Sequence, residues 1–191
     1  IAAPMGWRFP KISHRTLSEP TERKEKLVER TLSSDDDVYD AMVFSSGGSR
    51  GIAHLGAVDM LEKHRPGVVS KCRYFVGSSA GAVVATLLAT GLTAGDAMDA
   101  IIIPFRYKSD MRLHMLSTLF GIESSKSLET FLETIVPKDI TFKDILNENG
   151  TVLSIIGSNL NTSNMEVFDA IRTPNMTVYS ALRISCAVPL L

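Results

Sequence analysis

The sequence has only two cysteines, almost no net charge and no clustered metal ligands. Cys72 and Cys186 fit no metal-binding spacing. Their apolar neighbours indicate buried thiols, so nothing demands an oxidising compartment. A formal net charge of −1 gives no general attraction to nucleic acid, which is not an expected partner. The acidic run Asp35–Asp37 is interpreted as a solvated loop, because three adjacent carboxylates cannot all converge on one ion.

Long apolar segments and a secretory signal are also missing. No stretch reaches the roughly 18 consecutive apolar residues of a membrane span. The segment Ile1–Pro10 lacks a charged region followed by an apolar run, so it is not a signal peptide. These absences favour a cytoplasmic protein or one that is peripheral to a membrane, and they leave the source and the oligomeric state open.

The apolar content of 45% in 191 residues is enough for a substantial core in one domain. Residues 1–37 are interpreted as an N-terminal arm and a charged helix, and residues 38–191 as an α/β domain. In the second part strand-like runs alternate with helix-like runs. This pattern predicts a mostly parallel sheet with helices on both faces, and such sheets bind ligands at the carboxyl ends of their strands.

Two glycine-rich turns are predicted at that edge of the sheet. The first strand, Val38–Phe44, leads into the turn Ser45–Gly51 and then a helix. The second strand, Cys72–Val76, leads into Gly77–Gly81 and another helix. Further along, residues 105–125 are interpreted as a helical insertion, with a lipid-facing flap as the alternative.

Helix ends give a second set of expectations. Pro104 is expected to end a helix that begins at Ala94, because proline lacks the backbone donor of a helix interior. Thr141 is expected to cap the N-terminus of a short helical turn.

The turn Gly77–Gly81 reads Gly-Ser-Ser-Ala-Gly, which matches the G-x-S-x-G nucleophile elbow between a strand and a helix. A sharp turn of this kind holds Ser79 in a strained conformation and requires small neighbours, which Gly77 and Gly81 supply. Ser79 is therefore the candidate nucleophile. An ordinary Gly/Ser loop is the alternative interpretation of the pentapeptide alone.

The upstream turn can supply the hydrogen-bond donors that a nucleophilic serine needs. Attack on a carbonyl creates an oxyanion, and Gly47 and Gly48 can present backbone N–H groups to it because no Cβ blocks the approach. Arg50 adds a positive charge at the same corner. A dinucleotide-phosphate loop is the weaker alternative, because the turn lacks a Lys-[Ser/Thr] ending and departs from the G-x-G-x-x-G spacing.

Three segments together resemble the patatin-like phospholipase family. Ser45–Gly56 is similar to its glycine-rich oxyanion motif, and Gly77–Gly81, about 30 residues further on, is similar to its elbow. Ala181–Pro189 resembles the segment that precedes the family's catalytic aspartate. The resemblance implies a three-layer α/β sandwich with a mostly parallel central sheet, incomplete at its C-terminal end. It also implies hydrolysis of acyl esters, mostly of glycerolipids.

By position, the resemblance makes Ser79 the nucleophile and makes Gly47 and Gly48 the oxyanion donors, with Arg50 supporting the loop or a substrate phosphate. It implies a phospholipase A-type reaction through an acyl-enzyme on a Ser–Asp dyad, with no metal or other cofactor. The implied partners are a phospholipid or another acyl-lipid substrate and a transient contact with a membrane surface. Head-group preference, chain preference and sn-1 or sn-2 choice stay open.

The chain departs from the family pattern at two points. Ser46 stands where the family usually has the first glycine of the turn. No Asp-Gly pair occurs anywhere, and the dyad aspartate is expected past Leu191. Asp144 and Asp169 lack the small-residue context, and His54 is interpreted as a packing residue. A catalytically incomplete lipid- or partner-binding module and an acyltransferase therefore remain alternatives.

Overall fold

The computed structural model describes residues 39–107 and 125–187. The predicted N-terminal arm and most of the predicted insertion lie outside these residues. Strands and helices alternate along the described chain: β1 (Ala41–Phe44), a 3-10 turn (Gly48–Gly51), α1 (Ile52–His64), α2 (Val68–Lys71), β2 (Tyr74–Ser78), α3 (Ala80–Ala89), α4 (Ala94–Tyr107), α5 (Ser125–Ile135), α6 (Phe142–Asn149), β3 (Val152–Asn159), β4 (Asn164–Asp169) and α7 (Val178–Cys186).

The strands form one sheet in the order β1-β2-β3-β4. β1, β2 and β3 run parallel, and β4 returns antiparallel beside β3. The register places Phe44, Gly77 and Ile155 in one row across the three parallel strands. The carboxyl ends of these strands therefore lie at one edge, where both glycine-rich turns begin. The predicted fold class, an α/β domain with a mostly parallel sheet and flanking helices, is confirmed.

The core lies between one face of this sheet and α3. Alternation along the strands sends one set of side chains into the interior, and all of them are buried: Met42, Phe44, Phe75, Leu153 and Ile155. Residues 81–89 of α3 are buried on every side, as expected for a helix that is apolar all round. α3 contacts β1, β2 and β3 as well as α1 and α7, so it is the central helix of this layer.

The helix ends confirm one expectation and correct another. Thr141 caps α6 through a capping box, because its hydroxyl accepts a hydrogen bond from the Asp144 N–H while the Asp144 carboxylate accepts one from the Thr141 N–H. The expectation that Pro104 ends its helix is wrong, since α4 continues to Tyr107. A proline deletes one helical hydrogen bond but does not stop the following residues from staying helical.

None of the helices within the described ranges combines the length and the apolarity that crossing a membrane requires.

Replacing Ile155 with Ala tests whether the β3 row supports the core. Ile155 is 0% exposed, so we expect the free energy of unfolding to fall by about 2–5 kcal/mol through lost burial and a residual cavity. Ile171→Ala is the matched control, because that side chain is 77% exposed and its loss should cost less than about 0.5 kcal/mol. Urea unfolding measures both variants, and equal losses would contradict this assignment of the core.

Candidate active site

Ser79 occupies the turn between β2 and α3 in a conformation that few residues adopt. Its φ is 53° and its ψ is −124°. A positive φ in a residue with a side chain is strained, and such strain persists only where the surroundings impose it. The predicted serine is therefore held at the tip of a sharp strand-to-helix turn.

The two glycines of the elbow leave no room for a side chain. A Cβ on Gly77 would lie 2.5 Å from the Cα of Ala82, and a Cβ on Gly81 would lie 2.5 Å from the carbonyl oxygen of Ser45. The first turn of α3 thus packs directly on the end of β1. Gly51 adds a third close approach, because its Cβ would lie 2.5 Å from the Cβ of Ala80. These contacts bring the elbow next to the upstream glycine-rich turn.

The upstream turn has the conformation expected of a loop that exposes its backbone donors. Gly48 has a φ of +51°, where glycine is favoured. The Arg50 N–H donates to the Gly47 carbonyl at 3.0 Å and closes the turn. Within residues 39–107 and 125–187, neither the Gly47 N–H nor the Gly48 N–H has a hydrogen-bond partner. Both donors are therefore available to a ligand. The Arg50 side chain is exposed at this corner.

Side chains tie the two turns together. The Ser46 hydroxyl donates to the Ser78 hydroxyl at 3.2 Å, so the residue that replaces the family's usual glycine links the turn to the elbow. His54 in α1 places Nε2 3.0 Å from the Ser45 carbonyl oxygen. Its ring packs edge-on against Phe44, with centroids 5.6 Å apart. This geometry agrees with the interpretation of His54 as a packing residue.

Ser185 near the end of α7 was not among the predicted site residues. The Ser79 N–H donates to the Ser185 hydroxyl at 2.8 Å. The segment Ala181–Pro189 did carry a signal, because it resembles a family motif, but that pattern does not reveal a hydrogen bond to a residue 106 positions earlier.

Cys186 is the second neighbour of Ser79 that α7 supplies. Burial raises the pKa of the Cys186 thiol to about 12, although a hydrogen bond with the Ser79 side chain opposes the shift. The thiol is therefore protonated at neutral pH. Burial likewise raises the pKa of Cys72. The prediction of a buried thiol is confirmed for Cys72, whereas Cys186 is only partly buried.

The carboxylates considered as bases lie elsewhere. Asp169 is buried, but its Oδ1 accepts hydrogen bonds from the N–H groups of Ile171 and Arg172 at 2.8 Å, and its Oδ2 pairs with the Arg172 guanidinium. In the sheet register it lies beside Ser154 of β3. Hydrogen bonds from the Thr141 hydroxyl and N–H lower the pKa of Asp144, which caps α6. Among the described residues no carboxylate bonds to Ser79 and no cluster of metal ligands occurs.

A strained serine between a parallel strand and a helix, beside glycine N–H groups that bond to no described residue, has the geometry of the nucleophile elbow found in α/β hydrolases. The family model "Patatin-like phospholipase" matches residues 42–191, and the chain belongs to this family of lipid hydrolases.

Curated relatives resemble the chain at modest identity. "Probable lipid hydrolase 463L" of Invertebrate iridescent virus 6 is 25% identical over 166 residues, which cover 80% of this chain and 54% of the relative. "Triacylglycerol lipase ptl3" of Schizosaccharomyces pombe is 27% identical over 167 residues, which cover 79% of this chain and 33% of the relative. The chain thus spans about half of the viral relative's length and a third of the yeast relative's length.

Solved structures share the fold. VipD from Legionella pneumophila aligns with a TM-score of 0.56 at 17% identity, covering 87% of this chain and 49% of that chain. The type III effector ExoU aligns with a TM-score of 0.51 at 22% identity, covering 80% of this chain and 40% of that chain. At this identity the likeness concerns the fold alone.

Gly81→Ala tests the close approach of α3 to β1. The added Cβ would collide with the Phe44 and Ser45 carbonyls, so we expect a clear loss of stability, of about 1–3 kcal/mol. Gly56→Ala is the control, because a Cβ there meets nothing within 4 Å in the middle of α1. Alanine should raise helix stability there by up to about 1 kcal/mol. Thermal unfolding of both variants gives the comparison, and a harmless Gly81→Ala would contradict the packing described.

Thiol alkylation tests the environment of Cys186. A pKa of about 12 leaves almost no thiolate at pH 8, and the thiolate is the reactive form. We therefore expect iodoacetamide to alkylate Cys186 slowly in the folded protein and rapidly after unfolding in guanidinium. The folded-state rate should rise as the pH approaches the raised pKa. Peptide mass spectrometry follows the site, and rapid alkylation of the folded protein at pH 8 would refute the assignment.

Proposed function

We propose that the protein hydrolyses acyl esters of glycerophospholipids, with Ser79 as the nucleophile and Gly47 and Gly48 as the oxyanion donors. The observation that carries this proposal is the strained φ of 53° at Ser79 beside two glycine N–H groups that bond to no described residue. Membership in a family of lipid hydrolases supports a lipid as the substrate. Contact with a membrane surface follows from such a substrate and would be transient.

The reaction begins when Ser79 Oγ attacks the ester carbonyl and gives up its proton to a base. The carbonyl becomes a tetrahedral oxyanion, which the N–H groups of Gly47 and Gly48 stabilise. Collapse breaks the bond to the lipid alcohol, which leaves with the proton. Water then attacks the acyl-enzyme with the help of the same base, releasing the fatty acid and restoring Ser79.

The base in this scheme is a carboxylate, as in the Ser–Asp dyad that the family resemblance implies. We assign it to a segment outside the described residues, because no described carboxylate bonds to Ser79 and both Asp144 and Asp169 are engaged elsewhere. The N-terminus of α3 supports the developing negative charge through its helix dipole. Arg50, at the rim of the turn, is suited to hold the turn or a substrate phosphate.

The second candidate function is non-catalytic binding, in which the domain keeps its fold but lacks a working Ser–Asp dyad. The observation in its favour is that no described carboxylate reaches Ser79. In this form the domain binds a lipid or a protein partner. An acyltransferase using the same serine is a further alternative, in which an alcohol replaces water as the acceptor.

Ser79→Ala in the full-length protein separates these functions. We expect release of fatty acid from phosphatidylcholine vesicles to fall at least 1,000-fold, because the covalent step loses its nucleophile. Labelling by a fluorophosphonate probe should disappear as well. A triacylglycerol emulsion, assayed in parallel, distinguishes a phospholipase from a triacylglycerol lipase, and an added alcohol acceptor detects acyl transfer.

Ser70→Ala is the matched control, since Ser70 is exposed in α2 and its hydroxyl donates to the Gly67 carbonyl. It should retain both hydrolysis and labelling. Undiminished fatty-acid release by Ser79→Ala would refute the assignment of the nucleophile. An unlabelled, inactive wild-type protein that still binds vesicles would support the binding module instead.

A further inference from the structure

Ser185 connects the nucleophile to the sheet through two short hydrogen bonds. Its Oγ lies 2.8 Å from the backbone nitrogen of Ser79 and 2.6 Å from the carbonyl oxygen of Ile156 in β3. A single hydroxyl on α7 therefore bridges the elbow that follows β2 and the neighbouring strand.

The direction of both bonds is fixed by their backbone partners. The Ile156 carbonyl can only accept, so the Ser185 hydroxyl donates its one proton there. An oxygen lone pair then faces the Ser79 N–H, which can only donate. Neither bond can reverse, and loss of the hydroxyl would leave the Ser79 N–H without this acceptor, which is costly in a partly buried site.

The position of the Ser185 hydroxyl is fixed by the contacts that α7 makes with the rest of the domain. Ala181 and Leu182 are fully buried, and Arg183 forms an ion pair with Glu129 of α5 at 2.6 Å. Ile184 lies against Gly157, where an added Cβ would come within 3.0 Å of its Cγ2. The helix thus approaches β3 closely just before Ser185.

We propose that Ser185 is a positioning residue that holds the strained backbone of Ser79 in its reactive conformation. Because the Ser79 N–H donates to Ser185, it cannot also donate to the oxyanion. Stabilisation of the oxyanion then depends on Gly47 and Gly48, with the start of α3 behind them. The kinetic part of this proposal depends on the hydrolase function proposed above, whereas the structural part does not.

Amide hydrogen exchange at Ser79 tests the structural part without any activity. In the full-length protein, followed by NMR, Ser185→Ala should speed exchange of the Ser79 N–H about 10-fold or more, because its acceptor is lost. Ser180→Ala is the matched control. It makes the same change on the same helix, where the hydroxyl meets Thr177 rather than the elbow, and it should leave Ser79 exchange unchanged.

Steady-state kinetics test the consequence for catalysis. We expect Ser185→Ala to lower kcat about 10- to 100-fold with little change in KM, because a small misplacement of the nucleophile affects the reaction more than binding. Ser185→Thr retains the hydroxyl and should restore most of the rate. Ser180→Ala should keep the wild-type kcat.

The outcomes separate the two proposals. If the wild-type protein neither hydrolyses lipid nor reacts with a fluorophosphonate, the hydrolase function fails, and exchange at Ser79 still decides the role of Ser185. Unchanged exchange in Ser185→Ala overturns the positioning role, and so does a wild-type kcat in that variant. If Ser185→Ala does not fold, Ser185→Cys replaces it, since a thiol keeps the position but forms weaker hydrogen bonds. Wild-type exchange in that variant would likewise overturn the proposal.

Discussion

The close approach of α3 to the end of β1 is the constraint on which the site depends. It is possible only because Gly81 has no side chain, since the carbonyls of Phe44 and Ser45 occupy the space that its Cβ would need. Gly77 allows the same close approach of α3 to the end of β2. Ser79 directly precedes α3, and the glycine-rich turn directly follows β1. Ser79 and the N–H groups of Gly47 and Gly48, which bond to no described residue, therefore become neighbours through backbone packing alone.

A strained serine has to be held by its surroundings, at a cost of about 1–3 kcal/mol for such a backbone conformation. Two kinds of contact oppose this cost. The buried helix α3 anchors one side of the elbow in the core, where a single buried leucine contributes about 1.5–3 kcal/mol. Hydroxyl groups hold the other side, through Ser46 to Ser78 and through Ser185 to the Ser79 N–H. Apolar burial thus supplies the stability, and the directional bonds select the conformation.

The features that the sequence predicted are those with local causes. The order of strand, glycine-rich turn and helix depends on consecutive residues. The cap at Thr141 likewise depends on residues close to it in the chain. The missing features depend on residues far apart in the chain. The bond between Ser79 and Ser185 spans 106 positions. Periodicity and turn composition carry no information about such pairs, so Ser185 could be found only in the folded chain.

The surroundings of Ser79 also constrain where its base can come from. The Cys186 thiol holds its own proton at neutral pH, because its pKa lies near 12. The ring of His54 is directed at the Ser45 carbonyl, and the Ser185 hydroxyl is fixed by its two backbone partners. Among the described residues, no carboxylate bonds to Ser79, and the polar groups beside the elbow make the contacts named above. In the proposed reaction, the elbow and the oxyanion donors are assembled independently of the base, which must be brought to them by a segment outside the described residues.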